Sequence, residues 1–312
     1  MNPTLESHDA VATSPLPFLA VVAAVVSWGF GAILVKVMSI DGVSLAFYRL
    51  WLGFGLMILV VSVRRRRPTL EALRFAAPGG ILFGVNVALF FSAVNHTTIA
   101  NANLISALQP AIVLLFAGPL FGETVGWRAV SWTGVSIVGV AIAIVGAAGA
   151  PEWSPLGDAM AVGAVLLLTG YFLFSKRARA SVGTLEYMVC VQFVSALVIT
   201  PIALFSGHVD PPRGIDWLWM TVIVFGTGTG AHLLINWAHA YVDVSVSSLM
   251  MLLVPVVAYV AAWALLDESL TLMQIGGSAI ALGAMVVIVH GSRRNRELVL
   301  PLPAADAVSA EI

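Results

Sequence analysis

The sequence predicts an all-helical polytopic membrane protein with ten transmembrane helices in two inverted five-helix repeats. Three observations carry this. Of 312 residues, 60% are hydrophobic and only 10% are charged, against roughly 25% charged in an ordinary soluble domain. Long stretches without Asp, Glu, Lys or Arg recur along the whole chain. A pattern built on a proline and a glutamate in the first half of the chain recurs in the second.

The composition excludes whole classes of function. So few charges could not cover the surface of a soluble protein of this size. That rules out a cytosolic enzyme, a disordered protein and a nucleic-acid binder. The net charge of -1 gives no reason to expect a polyanionic partner. The single cysteine, Cys190, lies in an apolar stretch. It rules out an intramolecular disulfide framework and a cysteine-ligated metal cluster.

The charge-free runs cover 10–35, 50–63, 75–122, 129–151, 159–175, 187–209, 217–242, 244–266 and 269–292. A span needs about 20 mostly apolar residues, so the run 75–122 is too long for one and must form two, divided around Asn95-His96-Thr97-Thr98. The expected spans are 17–38, 43–63, 76–95, 99–121, 127–148, 157–176, 184–206, 215–239, 244–265 and 270–290. Barrel strands are ~10 residues of alternating polarity, and unbroken apolar runs demand helices, whose backbone bonds close within the segment.

Residues 1–16 carry Glu6 and Asp9 and no Lys or Arg. They lack the basic start of a secretory signal and read as a cytoplasmic N-terminal tail. Residues 292–312 begin with Arg293, Arg294 and Arg296, then turn Pro/Ala-rich, and read as a disordered cytoplasmic tail. With the N-terminus inside, Arg64 to Arg67, Arg74, Arg128, Lys176, Arg177, Arg179 and the three C-terminal arginines are all cytoplasmic. That is 12 of the 15 Lys and Arg residues, as the positive-inside rule requires. The expected location is the inner or plasma membrane, with both termini cytoplasmic.

Segment 89–123 can be laid on segment 234–268. Pro110 then matches Pro255 and Glu123 matches Glu268, so the same interval separates a mid-span proline from a glutamate at the end of its span in both halves. A Gly-rich helix follows each pair. The repeats expected are 17–148 and 157–291. Five spans is an odd number, so the second repeat must be inverted, which is a recurrent plan of secondary transporters.

Ten spans, two five-helix repeats, the Trp28-Gly29 pair in span one, and the Pro110…Glu123 and Pro255…Glu268 pairs together resemble the EamA-type family of the drug/metabolite transporter superfamily. The resemblance covers about 18–291. It implies a solute carrier that hydrolyses no ATP, most often an exporter of amino acids or other small metabolites in bacterial inner membranes.

The candidate site residues come from the spans themselves. Thr229, His232, Asn236 and His239 are spaced i, i+3, i+7, i+10 and form one helical stripe. A polar stripe avoids lipid, so it either lines a path or acts as glue between helices. Asn86 with Phe90 and Asn103 with Ser106 and Pro110 share faces of spans three and four, and Trp28 and Tyr171 add aromatic rings. The candidate substrate contacts are therefore Trp28, Asn86, Phe90, Asn103, Tyr171, His232 and Asn236. Pro110 and Pro255 each remove a helix N–H and are candidate hinges, with packing accommodation the other reading. Arg49 and Lys36, near the outer ends of their spans, suit snorkelling, or else a mouth that attracts a carboxylate. Glu123 and Glu268 read as interfacial helix-end residues.

No carboxylate falls mid-span, and the sequence has no HExxH, GxSxG or P-loop motif. Gly226-Thr227-Gly228-Thr229-Gly230 lies inside a span with no strand before it, so it is no dinucleotide loop. No catalytic residue, metal or cofactor is expected. The expected partners are a small-molecule solute and membrane lipid. The glycine spacings Gly134 with Gly139 and Gly276 with Gly283 suit packing within a monomer or a homodimer face. The leading function is an exporter of small metabolites working by alternating access. An importer or exchanger, and a non-transporting sensor or receptor, stand as alternatives.

Overall fold

A computed structural model describes residues 15–36, 38–97, 105–123, 126–148, 154–207, 209–266 and 270–299. The described residues form α-helices, one π-helical turn and one 3₁₀ turn, with no strand among them. In chain order the helices are α1 (Leu16–Lys36), α2 (Gly42–Val63), α3 (Leu70–His96), α4 (Gln109–Phe121), α5 (Trp127–Ala148), α6 (Pro155–Ala178) and α7 (Thr184–Ser206). They continue as α8 (Asp216–Ile223), α9 (Thr229–Ala238), α10 (Val244–Met250), α11 (Val254–Leu266) and α12 (Leu272–Val299). The π turn, Val224–Gly228, joins α8 to α9, and the 3₁₀ turn, Met251–Leu253, joins α10 to α11.

Local sequence sets several boundaries. Asp41 caps α2, its carboxylate accepting from the N–H of Val43 (2.9 Å) and Ser44 (3.1 Å). Thr69 caps α3 by accepting from Ala72 N–H at 3.0 Å. These caps satisfy N–H groups that lack an intrahelical partner. Gly122 and Gly207 close α4 and α7 in the left-handed region, at φ 67° and 73°, which glycine adopts without steric penalty.

Among the described residues, seven segments are long and apolar enough to cross a membrane, α8 to α9 and α10 to α11 each counting as one, and Leu16–Gly31, Gln109–Phe121 and Leu272–Ile288 are shorter apolar helices. The expected fourth span starts at 99, and its first residues lie outside the described ones. Helix α3 begins at Leu70, ahead of the expected start at 76. Counting charge-free runs discards everything up to Arg74, whereas the Thr69 cap starts the helix among charged residues. Helix α12 runs on to Val299, past the expected end at 290 and into the expected tail. The Arg-rich stretch holds no helix breaker before Pro301.

Helix α3 packs between α6 and α7, α2 lies against α7, α1 lies against α9 and α11, and α5 lies along α12. In the α5–α12 pair the backbones nearly touch. A Cβ on Gly277 would sit 2.5 Å from Gly139 O, and one on Gly139 would sit 2.8 Å from Gly277 O. Gly134, Gly276 and Gly283 face open space instead. Large apolar side chains cover the outside, Phe205 being 92% exposed. Such an apolar exterior suits lipid rather than water.

Candidate functional site

The site is organised by the interruption between α8 and α9. At Gly230 a Cβ would lie 1.9 Å from Phe225 O, and at Gly228 it would lie 2.8 Å from Ile223 O. Glycine is therefore what lets the chain widen into a π turn here, a feature often found at functional sites. Span eight, expected over 215–239, thus runs on as one segment, Asp216–Ala238, with a π turn at the Gly-rich stretch. Thr229, His232, Asn236 and His239 follow the turn on one face, and all four are buried.

Aromatic rings from three other helices enclose His232. Its ring lies edge-on to Trp28 of α1 (5.1 Å between centroids), Phe83 of α3 (4.5 Å) and Tyr171 of α6 (5.8 Å). Phe83 and Tyr171 stack at 4.8 Å. Trp28 remains half-buried, whereas Tyr171 is fully buried.

One turn further along, Asn236 ties the cluster together. Its Nδ2 donates to Tyr171 Oη and to His232 O, both at 2.6 Å. Its Oδ1 accepts from Ser175 Oγ of α6, and Ser175 Oγ also lies 3.0 Å from His239 Nδ1. A hydroxyl has one proton to give. With that proton on Asn236, His239 must donate through Nδ1, which leaves its Nε2 as an acceptor. Among the described residues neither His239 Nε2 nor His232 Nδ1 has a hydrogen-bond partner.

A second polar group sits at the π turn. Gln192 Nε2 of α7 donates to Thr229 Oγ1 at 2.7 Å, while Gln192 Oε1 is buried without a partner among the described residues. Gly53 of α2 permits this pair, since a Cβ there would lie 2.5 Å from Thr229 Oγ1 and 2.6 Å from Gln192 Nε2. Arg49 lies one turn before Gly53. Its Nε is 3.2 Å from where a Cβ on Gly228 would stand, and its charge acts on both Tyr171 and His232. The snorkelling expected for Arg49 is therefore not what the structure shows: the side chain turns inward against the middle of span eight.

Of the sequence-derived candidates, Trp28, Tyr171, His232 and Asn236 come together. Asn86 works elsewhere, its Nδ2 donating to Ala164 O at 2.7 Å and so joining α3 to α6. Phe90 is half-buried further along α3. Asn103 lies outside the described residues. Pro110 and Pro255 are each the second residue of a short helix, α4 and α11, rather than interior to one. The chain breaks just before each, at the turn through Leu108 and at the 3₁₀ turn. Glu123 does more than end a helix. Its carboxylate accepts from Val244 N–H (2.9 Å), Ser245 N–H (3.1 Å) and Ser245 Oγ (2.5 Å), capping α10. Phe83, Ser175 and Gln192 are site residues that the sequence-derived candidates omit. Phe83 sits three residues before Asn86 and Ser175 four after Tyr171, so helical spacing from the chosen residues reaches both.

The model of the EamA-like transporter family matches the chain twice, over residues 16–145 and 155–290. The chain belongs to the EamA-like transporter family. Its apolar helices are those of a multi-pass membrane protein, and the family is one of carriers rather than of enzymes. This EamA-like protein is 33% identical over 132 residues to a probable terminal-alkyne amino-acid exporter of Streptantibioticus cattleyicolor. That match takes in 40% of the chain and 44% of the relative's length, so it spans less than half of that protein. A solved structure described only as a crystal structure of protein shares 19% identity, covers 89% of this chain and 98% of its own, and superposes with a TM-score of 0.79. At that identity the likeness is one of fold.

Proposed function

We propose that this EamA-like protein is a ten-helix secondary transporter that exports small metabolites, amino acids among them, across the plasma membrane. Its two five-helix repeats, 17–148 and 157–291, are inverted relative to each other and alternate access about the buried cluster. The observation that carries the reading is where the cluster's residues come from. Trp28, Arg49 and Phe83 belong to the first family match, and Tyr171, His232 and Asn236 to the second. A site between repeats is where inverted-repeat carriers bind solute.

Two further observations support the repeats. When 89–123 is laid on 234–268, helix α4, Gln109–Phe121, falls end to end on α11, Val254–Leu266. The same offset lays the start of α5, Trp127, on the start of α12, Leu272. The pairings α2 with α7 and α5 with α12 map onto themselves under that exchange, and α3 with α6 maps onto the pairing of α1 with α9. The amino-acid assignment draws on the exporter from Streptantibioticus cattleyicolor, and the N-inside orientation on the distribution of Lys and Arg. Trp28, Tyr171, His232 and Asn236 contact solute in this reading, and the breaks before Pro110 and Pro255 serve as hinges.

The test is efflux from proteoliposomes loaded with labelled amino acids, in the absence of ATP. Flux abolished in a His232→Ala variant that keeps its thermal stability supports the reading. A strict ATP requirement, or no flux for any small metabolite offered, overturns it.

A further inference from the structure

Arg49 stands seven residues into α2, roughly 10 Å from the helix start at 1.5 Å per residue. Its Nε packs against Gly228, in the middle of span eight. Among the described residues it makes no hydrogen bond and no ion pair, only the electrostatic contact with Tyr171 and His232. The sequence supplies no Asp or Glu between Asp41 and Glu71, between Glu186 and Asp210, or between Asp216 and Asp243. The interiors of the three helical segments meeting at Gly228, Gly53 and Gln192 therefore carry no carboxylate. A cation inside a membrane is costly, and such residues ordinarily pair with an anion or mark a solute path. This one is half-buried and retains access.

We propose that Arg49 binds the carboxylate of the transported solute, so that the substrates are carboxylates. This rests on the transporter reading above. The planar guanidinium fork matches a carboxylate bidentately, which the point charge of an ammonium does not. The surroundings suit the rest of such a molecule. Gln192 Oε1, one turn of α2 away by way of Gly53, is a buried acceptor without a partner among the described residues and accepts from the solute's amino group. Trp28, half-buried beside His232, offers its ring to an apolar side chain. The solute then supplies the anion that the protein omits, and binding pairs a charge that the protein itself leaves without a counter-ion.

The experiment is thermal unfolding of the purified protein in lipid nanodiscs with two matched sets of probes. One set is L-norleucine, hexanoate, L-norleucinamide and pentylamine. The other is L-phenylalanine, 3-phenylpropanoate, L-phenylalaninamide and 2-phenylethylamine. Inorganic phosphate is included to separate carboxylate recognition from general anion binding. The amino acids, and more weakly the plain acids, should raise the wild-type Tm, while amides and amines should not. R49Q should lose affinity for the carboxylates by about 10- to 100-fold, the span expected for a charge-assisted hydrogen bond. R49K should fall between. The ligand-free R49Q protein should melt no lower than wild type, because no partner is left behind, whereas a purely structural arginine would lower it. The proposal is overturned if no carboxylate shifts the wild type, if the amides or amines shift it equally, if phosphate alone does, or if R49Q keeps its affinity. The wild-type panel decides even where R49Q does not fold. Carboxylate binding lost in R49Q but with no flux in proteoliposomes would remove the transporter reading and leave Arg49 as a carboxylate-binding residue alone. Flux of uncharged solutes unaffected by R49Q would do the reverse.

Discussion

Asn236 is the residue on which the buried cluster depends, because it uses both kinds of hydrogen-bonding capacity at once. Its amide nitrogen serves Tyr171 and the His232 carbonyl, and its oxygen serves Ser175. Tyr171→Phe removes one acceptor and leaves the ring stack with Phe83 in place. The expected loss is about 0.6 kcal/mol, the average for an interhelical polar contact in a membrane protein, read as a slightly lower Tm. Asn236→Leu removes the donor to Tyr171 and leaves Ser175 with His239 as its partner, so it should cost more, about 1–3 kcal/mol for a buried polar group left unpaired. Equal effects from the two changes would mean that the amide does not organise the cluster. At this scale the site is half legible in the sequence. The i, i+3, i+7 spacing puts Thr229, His232 and Asn236 on one face whatever surrounds them. Which rings meet that face is decided by packing of α1, α3 and α6 onto it, and no local pattern encodes that. Arg49 shows the same limit: its place along α2 is readable, but its direction around the helix axis is not.

Between elements, the contact with the clearest consequence is Glu123 on α10. Three hydrogen bonds converge on one carboxylate, two of them from the N–H groups of Val244 and Ser245 at the start of that helix. A helix start favours a negative charge, and its first N–H groups have no partner of their own. Glu123→Ala leaves both N–H groups without their acceptor. It should cost about 1–3 kcal/mol and speed amide hydrogen exchange at 244 and 245 relative to α11. Glu123→Gln keeps one acceptor oxygen and should recover part of the protection. Unchanged exchange in Glu123→Ala would mean that solvent serves α10 equally well. Position alone marks Glu123 as a helix-end residue, but its partners lie far along the chain, and only the packing of α4 beside α10 reveals them.

For the molecule as a whole, charge placement sets the orientation test. Ser181, in the loop between α6 and α7, and Ser206, at the end of α7, are both exposed. With the N-terminus inside, a cysteine at 181 should be shielded from impermeant thiol reagents in intact cells, and one at 206 should react. Cys190 is buried and should stay silent as an internal control. Labelling at 181 but not at 206 would invert the topology. The helical architecture is the most legible property, because an apolar slab about 30 Å thick imposes long charge-free runs. Where a helix begins in charged sequence, as at Leu70, or is interrupted by glycine, as at Gly228, counting charges loses the boundary.

The π turn can also be regarded as one surplus residue lodged in an otherwise ordinary helix. Removing a residue from a transmembrane helix normally swings everything beyond it by about 100° and turns a polar face toward lipid. In span eight the surplus is already confined to Val224–Gly228, so excising Gly226, whose Cβ would find only Ser27 Oγ at 3.6 Å, should let the helix close to regular α geometry. His232 and Asn236 would keep their facing. Excising Leu233, beyond the turn, should misdirect Asn236 and abolish folding. Comparable expression and melting of the two deletions would remove this account. If it holds, chain length at this point is a variable the fold can absorb, and proteins sharing the architecture can differ by one residue here without any change in which side chains look inward.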